Sequence, residues 1–155
     1  MTNMAEITND DDFRRLLDGL DTGGQRAVSA RFVENVLPLC GDDRIRHVTE
    51  IISKPDASDE NLSMAFHTAR TATVDSHNRC GAECDWEDQA GYFVARAALA
   101  AATPAEQLAG SPAYQAAMSS RMARTCMGIG AAEDTAGQER QAQYEILSEF
   151  IKSQE

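Results

Sequence analysis

The stretch "DWEDQAGYFVARAALAAATPAE", Asp85–Glu106, decides how the rest of the chain is read. Trp86, Ala90, Phe93, Val94, Ala97 and Ala101 recur at intervals of three and four residues, which places them on one face of an α-helix. Asp85 stands where a side chain accepts hydrogen bonds from first-turn amides, and Asp88 puts negative charge where the helix dipole favours it. Thr103-Pro104-Ala105-Glu106 reads as a new start, with a Thr cap, Pro first and Glu third. The density of alanine predicts close helix–helix approach, because small side chains let two helices pack flat. The apolar part, Gly91–Ala102, is interrupted by Arg96 and is too short to cross a bilayer.

The same two signals, a polar cap and a three/four spacing, repeat on both sides. Asn9 precedes Asp10–Asp12, and Phe13, Leu16, Leu17 and Leu20 then share a face. Thr22 with Gln25 three residues later resembles a capping box for a helix that buries Val28, Phe32 and Val36 and ends at Pro38 and Gly41. Asp42 or Asp43 starts a third helix with Ile45, Val48, Ile51 and Ile52 inward, stopped before Pro55. Ser58 opens a longer one carrying Leu62, Ala65, Phe66, Ala69 and Thr73, closed by Gly81. Downstream, Ser111-Pro112 opens "AYQAAMSSRMARTCM", and Thr135 with Gln138 starts a last helix docked by Tyr144, Leu147 and Ile151, with Ile146 and Phe150 as further candidates. No run alternates as a strand would. The expectation is an all-α fold: one compact domain over residues 1–155, about seven helices, with residues 1–8 flexible. Trp86, Phe93, Phe66 and Phe32 are expected to share one core.

Composition narrows the function. The 155 residues carry 14 Lys+Arg against 25 Asp+Glu, a formal charge of −11. The excess is even, with 7 basic and 13 acidic residues in 1–60 and 7 and 12 in 61–155. Direct nucleic-acid binding is disfavoured, because phosphate neutralisation needs clustered Lys and Arg. A basic protein partner is favoured, since complementary potentials speed encounter. The N-terminus lacks a basic region followed by an apolar core, so a cytoplasmic location is expected, where thiols stay reduced. The four cysteines do not amount to a disulfide framework.

The one chemistry-bearing stretch is "HNRCGAECDWED", His77–Asp88. On a continuous helix His77, Cys80 and Cys84 would align, and such ligands suit zinc. A thiol- or metal-dependent enzyme or sensor is the alternative built on them. Against it, Gly81 sits where a helix end is expected, and no fourth ligand has supporting spacing. A Cys84 at a helix start would have a lowered pKa, but Glu83, Asp85, Glu87 and Asp88 stabilise its thiol form. The reading adopted is a corner between two helices, with Gly81 ending one and Asp85 near the start of the next. "GIG" at Gly128–Gly130 lacks the strand and lysine of a phosphate loop, and Ser119-Ser120 has no hydrolase pattern. No catalytic residue, metal or cofactor is expected.

One segment resembles a family. "ARFVENVLPLCGDDRIRHVTEI", Ala30–Ile51, is similar to the early signature of the immunity proteins of bacterial polymorphic toxin systems, through Val36, Leu37, Pro38, Asp42, Asp43, Arg44 and Arg46. "MAFHTARTATVDSH" and "QAGYFVARAALAAA" are similar to that family's paired Ala-rich helices, with His67, Arg70, Gly91 and Ala95 in the corresponding places. "QERQAQYEILSEF" is similar to its closing helix, so the likeness runs from Gln25 to Phe150. The aromatic residue, often tryptophan, that the family shows in the helix before "VLP" and after the "D-D-R" segment is not obvious at either place here, and the cysteines of His77–Asp88 fall outside its pattern. The resemblance implies a non-catalytic protein that binds and neutralises a cognate toxin, with Asp42, Asp43, Arg44 and Arg46 as the candidate contact surface. An acidic inhibitor that imitates nucleic acid is a further alternative.

Overall fold

The computed structural model describes residues 7–80, 85–104, 107, 110–129 and 133–154. It is all-α: α1 Asp10–Asp18, α2 Thr22–Val36, α3 Asp43–Ile52, α4 Asp59–Cys80, α5 Trp86–Ala102, α6 Pro112–Met127 and α7 Thr135–Ser153, with a 3-10 turn at Leu37–Leu39 between α2 and α3. There is no strand among the described residues. Of residues 1–8, expected to be flexible, 1–6 lie outside the described residues, while Ile7 packs into the core.

Each helix starts on a side chain that satisfies an otherwise orphaned amide. Asn9 accepts from Asp12 N at 2.8 Å, Asp21 from Gly24 N at 2.7 Å and Asp42 from Arg44 N at 3.0 Å. Ser58 accepts from Asn61 N at 3.1 Å, and Asp85 from Asp88 N at 2.8 Å. Ser111 accepts from Tyr114 N at 3.2 Å and Asp134 from Gly137 N at 2.9 Å. Part of the acidic composition is therefore spent on caps.

Two of the expected caps are displaced by tertiary demand. Thr22 and Gln25 form no capping box. Asp21 caps α2, and Gln25 is buried, donating to Leu17 O while its Oε1 accepts from Ser111 Oγ at 2.7 Å and Ala113 N at 3.2 Å. Thr135 does not cap α7 either; it gives its hydroxyl to Arg124 O at 2.8 Å, tying α7 to α6, and Asp134 takes the cap. Thr103 closes α5 by donating to Leu99 O at 2.6 Å, and the rest of the expected start, Ala105 and Glu106, lies outside the described residues.

Helix α5 packs against α2, α3, α4 and α6, most extensively against α6. It is consequently buried on more than one face, through Ala90, Val94, Ala95, Ala97, Ala98, Ala100 and Ala101. On α6, Ala116 and Ala123 are buried in the same cluster. Such a contact is too close for large rings, and the aromatics are pushed to its margins. This overturns the expected aromatic core. Trp86 is 49% exposed, Phe66 and Phe93 are half-buried, and Phe32 lies in a different cluster from the one Phe93 packs on. The aromatic core sits at the other end instead, where Phe13 contacts Phe32 and Tyr144 at ring distances of 5.8 and 5.3 Å, with Leu147 and Phe150 beside them.

Two arginines on α6 lock these layers together. Arg121 grips both oxygens of Asp10 at 3.0 Å and reaches Gln143 at 2.8 Å, while the Tyr144 hydroxyl donates to Asp10 at 2.7 Å. Hydrogen bonding to Arg121, joined by that from Tyr144, holds the Asp10 carboxyl below the usual carboxylate range despite partial burial. Arg124 binds the buried Glu139 at 2.9 Å and the Asn35 carbonyl at 2.8 Å. No described buried side-chain polar atom lacks a partner, as close packing of polar groups demands.

Candidate functional site

The segment Asp42–Arg46 begins where α2 ends. Val36 closes α2, Pro38 turns the chain through the 3-10 segment, and Asp42 caps α3. The cap residue is Asp42 rather than Asp43, which begins the helix and points outward, 94% exposed. Asp42 has a second role. Arg44 returns its guanidinium to the Asp42 carboxylate, with Nη2 at 2.8 Å from Oδ2 and Nε at 3.1 Å from Oδ1. The free edge of the same guanidinium donates through Nη1 to Asp75 Oδ2 at 2.8 Å, across to α4. Arg44 is thus clamped between two carboxylates. Its hydrogen bonds to Asp42 and then Asp75 raise its pKa above the ordinary arginine value. Reciprocally, the Arg44 hydrogen bond holds the Asp42 carboxyl below the usual carboxylate range. Arg46 lies apart, 63% exposed and 4.0 Å from Asp43, too loose and wet a pair to fix anything.

The clamp forms one wall of a groove of about 630 Å³. Its other walls come from the C-terminal half of α4 (Ala72, Ser76, Arg79) and the N-terminal half of α5 (Glu87, Asp88, Gly91, Ala95). Four carboxylates, Asp42, Asp43, Glu87 and Asp88, line it against two guanidiniums, Arg44 and Arg79. The potential inside is net negative, held on a scaffold of helix termini. Three of the four expected contact residues, Asp42, Asp43 and Arg44, come together here, and Arg46 does not join them. Asp75 and Arg79 were not singled out by sequence, because 31 residues separate Asp75 from Arg44 and no spacing rule links them. In the sequence Asp88 carries a first-turn signal, and Glu87 and Asp88 otherwise stand only as neighbours that keep Cys84 a thiol.

The alternative centred on His77, Cys80 and Cys84 is not assembled by what is described. The Cys80 side chain and residues 81–84, including the expected corner at Gly81, lie outside the described residues. The expected second half of the corner is present, as Asp85 caps α5. Trp86, the first residue of α5, stands 49% exposed, and the His77 ring rests 5.6 Å from that of Tyr92. Among the described residues no three His, Cys, Asp or Glu side chains are placed to hold a metal ion. Burial raises the pKa of both the Cys40 and Cys126 thiols, which disfavours the reactive thiolate. No helix of the described residues is long and apolar enough to cross a membrane. Comparison with protein-family models, curated proteins and solved structures gives no match.

Proposed function

We propose that the protein is a non-catalytic binding protein of the toxin-immunity type, which neutralises a basic cognate toxin by taking it into the acidic groove between α3, α4 and α5. The observation that carries this reading is the groove itself, four carboxylates to two guanidiniums, with Arg44 immobilised between Asp42 and Asp75. A wall fixed in this way loses little side-chain entropy when a partner docks. The overall charge of −11 extends the field beyond the groove and speeds capture of a cation-rich surface. Trp86, exposed and next in sequence to Glu87, is the residue type that anchors protein interfaces. The resemblance of Ala30–Ile51 to the immunity proteins supports the same conclusion, since it falls on this wall.

The test is binding to the toxin domain encoded next to this chain's gene, followed by calorimetry and light scattering. A one-to-one complex is expected, weakened by salt and by the triple change Asp43→Asn, Glu87→Gln, Asp88→Gln. Those three residues make no ion pair that holds the helices together. Absence of a complex between folded partners, or a complex indifferent to these changes and to salt, would count against the reading.

A further inference from the structure

The α4–α5 pair is antiparallel, and its far end holds a second groove of opposite character. The N-terminal half of α4 meets the C-terminus of α5 there, beside the starts of α2 and α6, around a space of about 690 Å³. That volume is within the roughly 300–1,000 Å³ range of small-molecule sites. Leu62 and Phe66, both half-buried, form its apolar wall with Ala101 and Pro104. Two guanidiniums, Arg26 and Arg70, and the His67 ring line it, against one carboxylate among the described residues, that of Asp59.

Seven of the chain's twelve arginines, these two among them, make no ion pair among the described residues. Arg44, Arg121 and Arg124 each bind a carboxylate within 2.9 or 3.0 Å or closer. Arg26 and Arg70 make no ion pair and no side-chain hydrogen bond among the described residues, although acids outnumber bases 25 to 14. Arg26 is half-buried and Arg70 is exposed. Arg26 also borders an adjoining groove that adds Arg31 and Lys54 against Asp21 and Glu34. Two free guanidinium forks beside an aromatic wall form a recognition pattern for a planar anion on an apolar body.

We propose that this groove is a binding site for a small anionic ligand with an apolar, ring-sized body, its carboxylate or phosphate held by Arg26 and Arg70 and its body laid against Leu62 and Phe66. The site is independent of the acidic groove and of the partner proposed for it.

Titration of the full chain with benzoate and with phenyl phosphate, read by NMR amide shifts, tests this and tells the two anion classes apart. Benzyl alcohol serves as the neutral control. Saturable shifts are expected at the groove residues for at least one anion and not for the alcohol. Each of Arg26→Gln and Arg70→Gln should weaken that binding about tenfold or more, the usual effect of removing a hydrogen bond to a charged group. Neither arginine has an ion-pair or hydrogen-bond partner among the described residues, so the melting temperature of both variants should stay that of the wild type, which separates lost binding from lost folding. Arg14→Gln, outside the groove, should bind as the wild type does. The proposal is overturned if neither anion saturates, if the alcohol binds as tightly, or if the arginine variants keep wild-type affinity.

Discussion

Replacing Arg124 with methionine would strand the Glu139 carboxylate, whose side chain is only 1% exposed. In the wild type that carboxylate receives Arg124 Nε at 2.9 Å and Asn35 Nδ2 at 3.0 and 2.9 Å on its two oxygens. Methionine keeps most of the arginine stem's volume, so the loss is electrostatic and not a cavity. Removing one partner of a buried pair costs about 3–5 kcal/mol. Here Asn35 continues to solvate the charge, which places the expectation near the lower end, about 3 kcal/mol. The double change Arg124→Met, Glu139→Leu removes the charge altogether. It leaves only the Asn35 amide and carbonyl short of partners, costing about 1–2 kcal/mol. The double variant should therefore be more stable than the single one. Urea unfolding followed by circular dichroism measures both, at unchanged m-value. A single-variant loss under about 1 kcal/mol, or a double variant worse than the single, would refute the assignment of Arg124 as the counter-charge of a buried carboxylate.

Asp10 has a folded-state pKa below its unfolded value, so its contribution is complete above the unfolded pKa, about 4, and is lost as pH falls through the folded one. Melting temperatures between neutral pH and strong acid should fall less steeply for Asp10→Asn than for wild type, and parallel curves would contradict this. Phe13→Ala, at the centre of the aromatic cluster and fully buried, should cost about 3–5 kcal/mol by denaturant unfolding, and half-buried Phe93→Ala visibly less; equal losses would mean the cores are misplaced. At Gly137 an added Cβ would lie 2.3 Å from the Asp134 carboxylate that caps α7. Gly137→Ala should then cost about 1–2 kcal/mol, the scale of a lost cap, and a neutral substitution would deny the cap its role.

What the sequence revealed and what it hid divide along the distance between interacting residues. Helices α1 to α7 were legible because caps and three/four spacings act within one or two turns. Asn9, Ser58, Asp85 and Ser111 cap as their local context implies. Gln25 was misread for the opposite reason: its local neighbours offer a capping box, but Ser111, 86 residues away, offers a buried network. Trp86 falls on the same helical stripe as Val94, yet only contact with α4 and α6 determines where that stripe stops being covered. Of the acidic site, the Asp42–Arg44 half was visible as a charged helix start. The half supplied by Asp75, Arg79, Glu87 and Asp88 is made by the folding of α4 and α5 against α3, which no spacing encodes.

The most direct measurement of the proposed activity is growth of cells that express the toxin domain encoded beside this chain's gene, with and without the chain itself. Stoichiometric capture requires that growth be restored in proportion to the amount of the chain. The triple change at Asp43, Glu87 and Asp88 should shift that dose curve toward higher amounts. Persistent arrest in cells holding folded chain in excess over toxin would contradict the account.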